Sequence, residues 1–474
     1  MRSGTAPCGL RYAVRRGGSA VGYCALSIRC GTRDEAGFGS GIAHFTEHTM
    51  FRGTSRKSAP VIGSYLDRLG GELNAYTTKE EIVLHATVLK EDLGKAARLL
   101  FELATEATFP DAEIETERGV VLDEIISYKD NPAEDVYDKF EGMLFEGHPL
   151  GQPILGTTAS VKRLKPEDLR RFVKTFFVPE RKAFTVVADI DEKILEKRVL
   201  RLVARLFGNA GAGNTLSGSD AGEGDTLSGA FARIGSRSDA GEGDTLSGAF
   251  ARIGSRSDAG EGDTLSGAFA RIGSRSDAEE RVSPSPIPSA SPFSKTVDKR
   301  NHEVNAVIGN RAPSLYDRED RITAAVLCNI LGGPASNSLL NRELREKNGW
   351  VYSVECTYTQ YADTGIAAIS FGCDKSNLDR CLTALDRILG RLREVPLSER
   401  TLKAYKKQLL GQLAISSDNG EAQCLSMGKS LLAWGRIDTS VEMRSRIDAV
   451  TPEALQAMAR RLFDPASLSR LIYL

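Results

Sequence analysis

From Gly222 to Ala278 the chain reads GEGDTLSGAFARIGSRSDA three times without a difference, and Asn214 to Ala221 (NTLSGSDA) looks like a shortened copy of the same unit. Each copy is rich in Gly, Ser and Asp and holds one short apolar patch, AFARI. Such a unit cannot bury enough surface to offset the entropy of ordering it, so a flexible tract is expected in preference to a solenoid of stacked repeats. The tract runs into Ser283-Pro284-Ser285-Pro286-Ile287-Pro288, whose prolines favour an extended, solvated chain. Residues 209–294 are therefore read as a linker. As a random coil, the roughly 70 residues from Gly222 to Pro292 span on the order of 45 Å, which joins two domains without dictating their arrangement.

The two remaining segments, 1–208 and 295–474, are each of ordinary domain size. They resemble one another. Lys165-Pro166-Glu167-Asp168-Leu169, then Phe177-Val178-Pro179 and the strand-like Phe184 to Ala188, is matched at the same spacing by Thr451-Pro452-Glu453-Ala454-Leu455, Phe463-Asp464-Pro465 and Leu471 to Leu474. Proline in a first helical turn and after a helix end is ordinary punctuation, so the shared spacing, more than either block, argues for duplication. Periodicity extends the parallel: Leu73 to Leu89 reads as paired strands, followed by helices over Asp92 to Thr105 and Ile114 to Lys129. In the second segment Val351 to Phe371 supplies strands, and Leu378 to Leu392 and Ser398 to Ile415 supply helices. The expected fold class is α+β: two similar domains, each a largely antiparallel sheet covered by helices, joined by the long linker.

A formal net charge of -1 gives no field that would favour nucleic acid or an anionic membrane, so neither is an expected partner. No run approaches the roughly 20 apolar residues a spanning helix needs, and the opening MRSGTAPC has no apolar core of a secretory signal. The eight cysteines include no C-x-x-C pair and mostly sit in apolar surroundings, which fits reduced thiols and a cytoplasmic location.

His44-Phe45-Thr46-Glu47-His48 carries the chemistry. Ser40 before it is a plausible helix N-cap and Gly53 after it a stop, so a helix of about three turns is expected. At 3.6 residues per turn, His44 and His48 project from one face one turn apart, within reach of a single cation, with Glu47 on the adjoining edge. The plain alternative is a helix carrying two structural histidines and a surface glutamate. A metal site needs a third ligand, and Glu124, in the helical segment Glu117 to Ile125, is a candidate. Glu117 shares its face but lies about 10 Å away along the axis, so one ion cannot take both. Spacing alone leaves a solvated acidic face open as the reading of these glutamates.

Beyond spacing, the chain resembles the pitrilysin/insulinase family of zinc metallopeptidases over both segments, roughly 8–208 and 295–474. The resemblance rests on H-x-x-E-H at His44 to His48, followed 76 residues after the second histidine by Glu124 in a segment of the form E-R-x-x-x-x-x-E that begins at Glu117-Arg118. It implies one zinc per chain on His44, His48 and Glu124, a general base in Glu47 and an auxiliary role for Glu117. Gly70-Gly71-Glu72-Leu73-Asn74-Ala75-Tyr76-Thr77 resembles the family's edge strand that aligns an extended peptide, which implies substrate contact at Asn74; a core strand entered through a glycine turn explains the same residues. Arg345 and Tyr352, in REKNGWVY, resemble the pair that reaches from the second domain to bound peptide. Leu327 to Gly333 offers no second H-x-x-E-H, which makes the first domain the catalytic one. The expected function is a zinc-dependent endopeptidase acting on peptides, paired as a homodimer or as a heterodimer with a related subunit. A non-catalytic scaffold subunit is the alternative, and a metal-dependent lyase of small molecules fits less well with a duplicated second domain. The start near the first strand leaves no room for a mitochondrial presequence, and the long linker leaves open how tightly the halves couple.

Overall fold

The computed structural model describes residues 1–208 and 291–474; the repeats, and all of the expected linker up to residue 290, lie outside the described residues. The first segment runs β1 (Arg2–Thr5), β2 (Arg11–Arg16), β3 (Val21–Ile28), α1 (Ile42–Met50), α2 (Ala59–Gly63), β4 (Glu72–Thr77), β5 (Ile82–Leu89), α3 (Leu93–Glu106), α4 (Asp111–Asp130), α5 (Pro132–Leu144), α6 (Thr158–Val161), α7 (Pro166–Phe176), β6 (Lys182–Ala188) and α8 (Glu192–Phe207). The second runs β7 (Ser294–Val297), β8 (Val304–Ala312), α9 (Arg318–Gly332), β9 (Val351–Gln360), β10 (Gly365–Cys373), α10 (Leu378–Glu394), α11 (Glu399–Ser416), α12 (Gly420–Trp434), α13 (Ser440–Ala449), α14 (Pro452–Leu462) and β11 (Ser469–Tyr473).

Each segment builds one sheet. The orders are β1-β2-β6-β3-β5-β4 and β7-β11-β8-β10-β9. Among the described residues only β2 with β6 and β7 with β11 pair in parallel; the other neighbours are antiparallel. Without β1, the first sheet has the order and strand directions of the second, so α1, between β3 and β4, corresponds to α9, between β8 and β9. The α+β class and the two similar sheets expected from the sequence are therefore present. The matched proline blocks become α7 and α14, each with Pro at its first position and each leading into the strand that lies inside its sheet.

Each sheet has helices from its own segment on one face and a helix from the other segment on the opposite face. Helix α5 lays Val136, Phe140 and Leu144, at a spacing of four, against Val307, Ile366, Ala368 and Leu471 of the second sheet. In return α12 lays Cys424, Met427 and Leu431 against Ala13, Ala25, Val83 and Val187 of the first. The approach is close at Gly428, where a Cβ would stand 2.4 Å from Ser27 Oγ. Coverage on both faces explains why β6 is buried at every position, as a one-sided antiparallel strand would not be.

Candidate metal centre

Helix α1 packs against β4, the short 3-10 turn Thr32–Asp34 and the helices α4 and α7, and eight of its nine residues are buried. Its N-terminus differs from expectation. Ser40 does not cap it; the capping position falls on Gly41, at φ 89, which offers no side chain. Gly41 packs against Gly156, and a Cβ on Gly41 would stand 2.8 Å from Leu155 O, so the left-handed turn and the tight approach both need glycine. The free amides are taken instead by Glu35, whose two carboxylate oxygens accept from Gly41 N (2.9 Å) and Ala43 N (3.0 Å). Burial pushes the Glu35 carboxyl up to about 8 against these two bonds, which act to keep it ionised.

One turn apart on α1, the imidazoles of His44 and His48 stand with ring centroids 4.5 Å apart. Helix α4 brings Glu124 to them: its Oε2 is 3.7 Å from His44 Nε2 and 3.4 Å from His48 Nε2. One ligand atom from each of the three residues lies within 4.8 Å of the others. His48 Nε2 and Glu124 Oε2 are buried with no hydrogen-bond partner, an arrangement costly unless a cation answers it. Two imidazole nitrogens and a carboxylate are a donor set suited to catalytic zinc.

Glu117, a full two turns before Glu124 on α4, does not join that group. Its Oε1 is 2.8 Å from His48 Nδ1, and its other oxygen meets the guanidinium of Arg52. A carboxylate on the remote ring nitrogen fixes which nitrogen of His48 faces the centre. Neighbouring Arg118 anchors α4 by donating to the carbonyls of Leu164 (2.8 Å) and Val161. Burial opposes charge on His48, but Glu117, Glu124 and Glu47 outweigh it and push the ring up to about 10. Burial and the adjacent His48 hold His44 well below the usual histidine range.

Glu47 is 4% exposed. Its Oε2 accepts a 2.5 Å hydrogen bond from the Thr77 hydroxyl on β4. Burial raises its carboxyl above the ordinary value, while His48 and Thr77 act in the opposite sense.

Among the other residues singled out in the sequence, Asn74 lies on β4, half-buried and paired in register with His85. Strand alternation places it on the face opposite Thr77, with Tyr76, on the edge strand of the sheet. Arg345 is exposed on the π-helical turn Asn341–Lys347, and Tyr352, 57% exposed on β9, donates to Asp374 (2.8 Å). Neither belongs to the His44/His48/Glu124 group. Sequence reasoning did not single out Glu35, Arg52 or Thr77. Arg52, four residues after His48, carried a helical-spacing signal, and Thr77 closes the Gly70 to Thr77 pattern without a role having been read for it; Glu35 acts through a fold of the chain that no local pattern reveals.

Comparison with known proteins bears on this geometry. Residues 14–158 match the family model described as insulinase (peptidase family M16), and residues 263–409 match that of the peptidase M16 inactive domain. The chain is 26% identical over 437 residues to the uncharacterized zinc protease YmxG of Bacillus subtilis, covering 92% of this chain and 89% of that protein. It is also 26% identical over 430 residues to an uncharacterized zinc protease of Streptomyces coelicolor, covering 91% of this chain and 80% of that one. In fold it is similar to a protease from Helicobacter pylori, with a TM-score of 0.76 at 17% identity, covering 100% of this chain and 98% of that chain.

Proposed function

This chain belongs to the insulinase (M16) family of peptidases, and on that premise we propose that it is a zinc-dependent endopeptidase whose catalytic half is residues 1–208 and whose non-catalytic half is residues 295–474. The observation that carries the reading is the convergence of His44, His48 and Glu124 beside a buried carboxylate, Glu47, that a threonine holds in place. The three residues would hold one zinc ion. When bound, zinc supplies a Lewis acid and a water whose pKa falls to around 7.

Glu47 accepts the proton of the attacking water and returns it to the leaving amine, and Thr77 keeps its carboxylate turned to that task. Glu117, backed by Arg52, holds the His48 ring in the ligating tautomer. The exposed edge of β4 offers backbone groups on which an extended peptide adds as a further strand. Arg345 and Tyr352, exposed on the second half, contact the far part of that peptide. A second chain, identical or related, would enclose it as a dimer. The cytoplasm is the proposed compartment, in keeping with eight free cysteines, seven of them buried. Among the described residues no helix is long and apolar enough to cross a membrane.

The scaffold alternative has no need of the complete set of ligands, base and orienting carboxylate. Metal analysis tests the ligand set: purified protein should carry about one zinc per chain, and His48→Ala or Glu124→Gln should lose most of it. Full occupancy in Glu124→Gln would show that Glu124 is not the third ligand.

A further inference from the structure

The second half supplies no residue to the His44/His48/Glu124 group, yet one of its turns packs against the turn that follows Thr77, the hydrogen-bond partner of Glu47. The turn between β9 and β10, residues 361–364, meets the turn between β4 and β5, residues 78–81, at the seam of the two halves. Ala362 N–H donates to both carboxylate oxygens of Glu80 (3.0 and 3.1 Å). Arg33 donates to Glu80 Oε1 (2.6 Å) and to Asp363 Oδ1 (2.9 Å), and its second terminal nitrogen meets the other Asp363 oxygen. Alongside, Tyr361 donates its hydroxyl to Glu141, and Lys79 Nζ lies 3.4 Å from the same carboxylate.

Two chains of contact lead from this cluster to α1. The first passes through the 78–81 turn to Thr77, at its root, and so to Glu47 Oε2 (2.5 Å). The second passes through the loop 31–35, whose Thr32 and Arg33 amides donate to Thr78 O (3.3 Å) and Lys79 O (2.9 Å). A Cβ on Gly31 would stand 2.4 Å from the Lys79 carbonyl carbon, so the loop and turn are in tight contact. Glu35 then closes the path by capping α1 at Gly41 and Ala43. The Arg33 and Asp363 side chains are 16% and 9% exposed. Pairs this buried add little net stability, because desolvation offsets their attraction, but they fix one geometry.

We propose that Arg33, Glu80 and Asp363 are positioning residues: they use the 361–364 turn of the non-catalytic half to set the 78–81 turn and the 31–35 loop, and through these the orientation of Glu47 beside the metal group. The inference rests on the proposed peptidase reading for its kinetic consequence, and on geometry alone for its structural one.

The test compares wild type, Asp363→Asn, Thr77→Val and the double variant in the full chain. Steady-state cleavage of an unstructured peptide, zinc content and amide hydrogen exchange are read for each. Each single variant should lose kcat by roughly tenfold, with KM changed less than about twofold and zinc retained, because a misplaced base weakens the transition state and not the ground state. The double variant should lose less than the product of the single losses, since Thr77 lies on one of the two paths by which Asp363 bears on Glu47. Exchange of the 41–48 amides should rise about tenfold or more in Asp363→Asn. A wild-type kcat in Asp363→Asn, or a double-variant loss equal to the product of the single losses, would overturn the proposal. Unchanged exchange at 41–48 would overturn it whether or not the protein cleaves any peptide, whereas zinc-loaded wild type that cleaves nothing while exchange rises strikes the peptidase reading alone. Should Asp363→Asn fail to fold, Glu80→Gln, which keeps an acceptor for Ala362 N–H, gives the same readings.

Discussion

Lys182 on β6 shares with the metal-centre atoms the property of burial without a hydrogen bond: the residue is fully buried and its Nζ has no partner. No second ligand group converges on it, however; the Phe177 and Phe207 rings lie 6.0 and 5.7 Å away. Burial pulls its ammonium down to about 8, from the 10.5 of an ordinary lysine. Above pH 10.5 the amine is neutral folded or unfolded and costs nothing; as pH falls the unfolded chain takes up the proton first, and below pH 8 the fold bears the full penalty. Lys182→Met should therefore stabilise the protein at pH 7 by roughly 1–3 kcal/mol, and the gain should shrink between pH 8 and 10. Melting temperatures of both proteins across that range check it; a gain independent of pH would mean that lost charge is not the cause. At this scale the sequence was informative where chemistry is local. His44, Glu47 and His48 lie on one helix, so their grouping follows from the helical repeat. Glu35 and Thr77 reach α1 through tertiary folding, and Ser40 appeared a better cap than Gly41 because side-chain type says nothing of a carboxylate arriving from six residues upstream.

Elements were legible in kind and order, because strand and helix periods and proline punctuation are short-range signals. Their packing partners were not. The apolar stripe of α5 announces that one face is buried, but amphipathicity carries no address, and nothing in Val136, Phe140 and Leu144 says that the sheet they cover belongs to the other segment. Phe140 tests the assignment, since it is fully buried in that cluster. Phe140→Ala should cost about 3–5 kcal/mol in denaturant unfolding. A loss below about 1 kcal/mol would mean that α5 is not a working part of the second core.

For the molecule as a whole, the duplication was readable because paired proline blocks and strands keep their spacing, whereas the coupling of the halves was not, because a linker's composition speaks only of the linker. The described residues answer through the exchanged helices and the Arg33/Glu80/Asp363 seam, contacts independent of the repeats. Deleting Gly222 to Ala278 should accordingly leave zinc content, melting temperature and peptide cleavage close to wild type. An unfolded or metal-free product would make the repeats structural. The proposed catalysis turns on Glu47, which stands beside the proposed ligands without being one of them. Cleavage of an unstructured peptide of about 15 to 30 residues by wild type and Glu47→Gln, with zinc content measured on the same samples, is the decisive measurement. We expect full zinc in both and a rate lower by about 10² to 10⁴ in the variant, as befits loss of a positioned base; wild-type turnover by Glu47→Gln, or no turnover by zinc-loaded wild type, would contradict it.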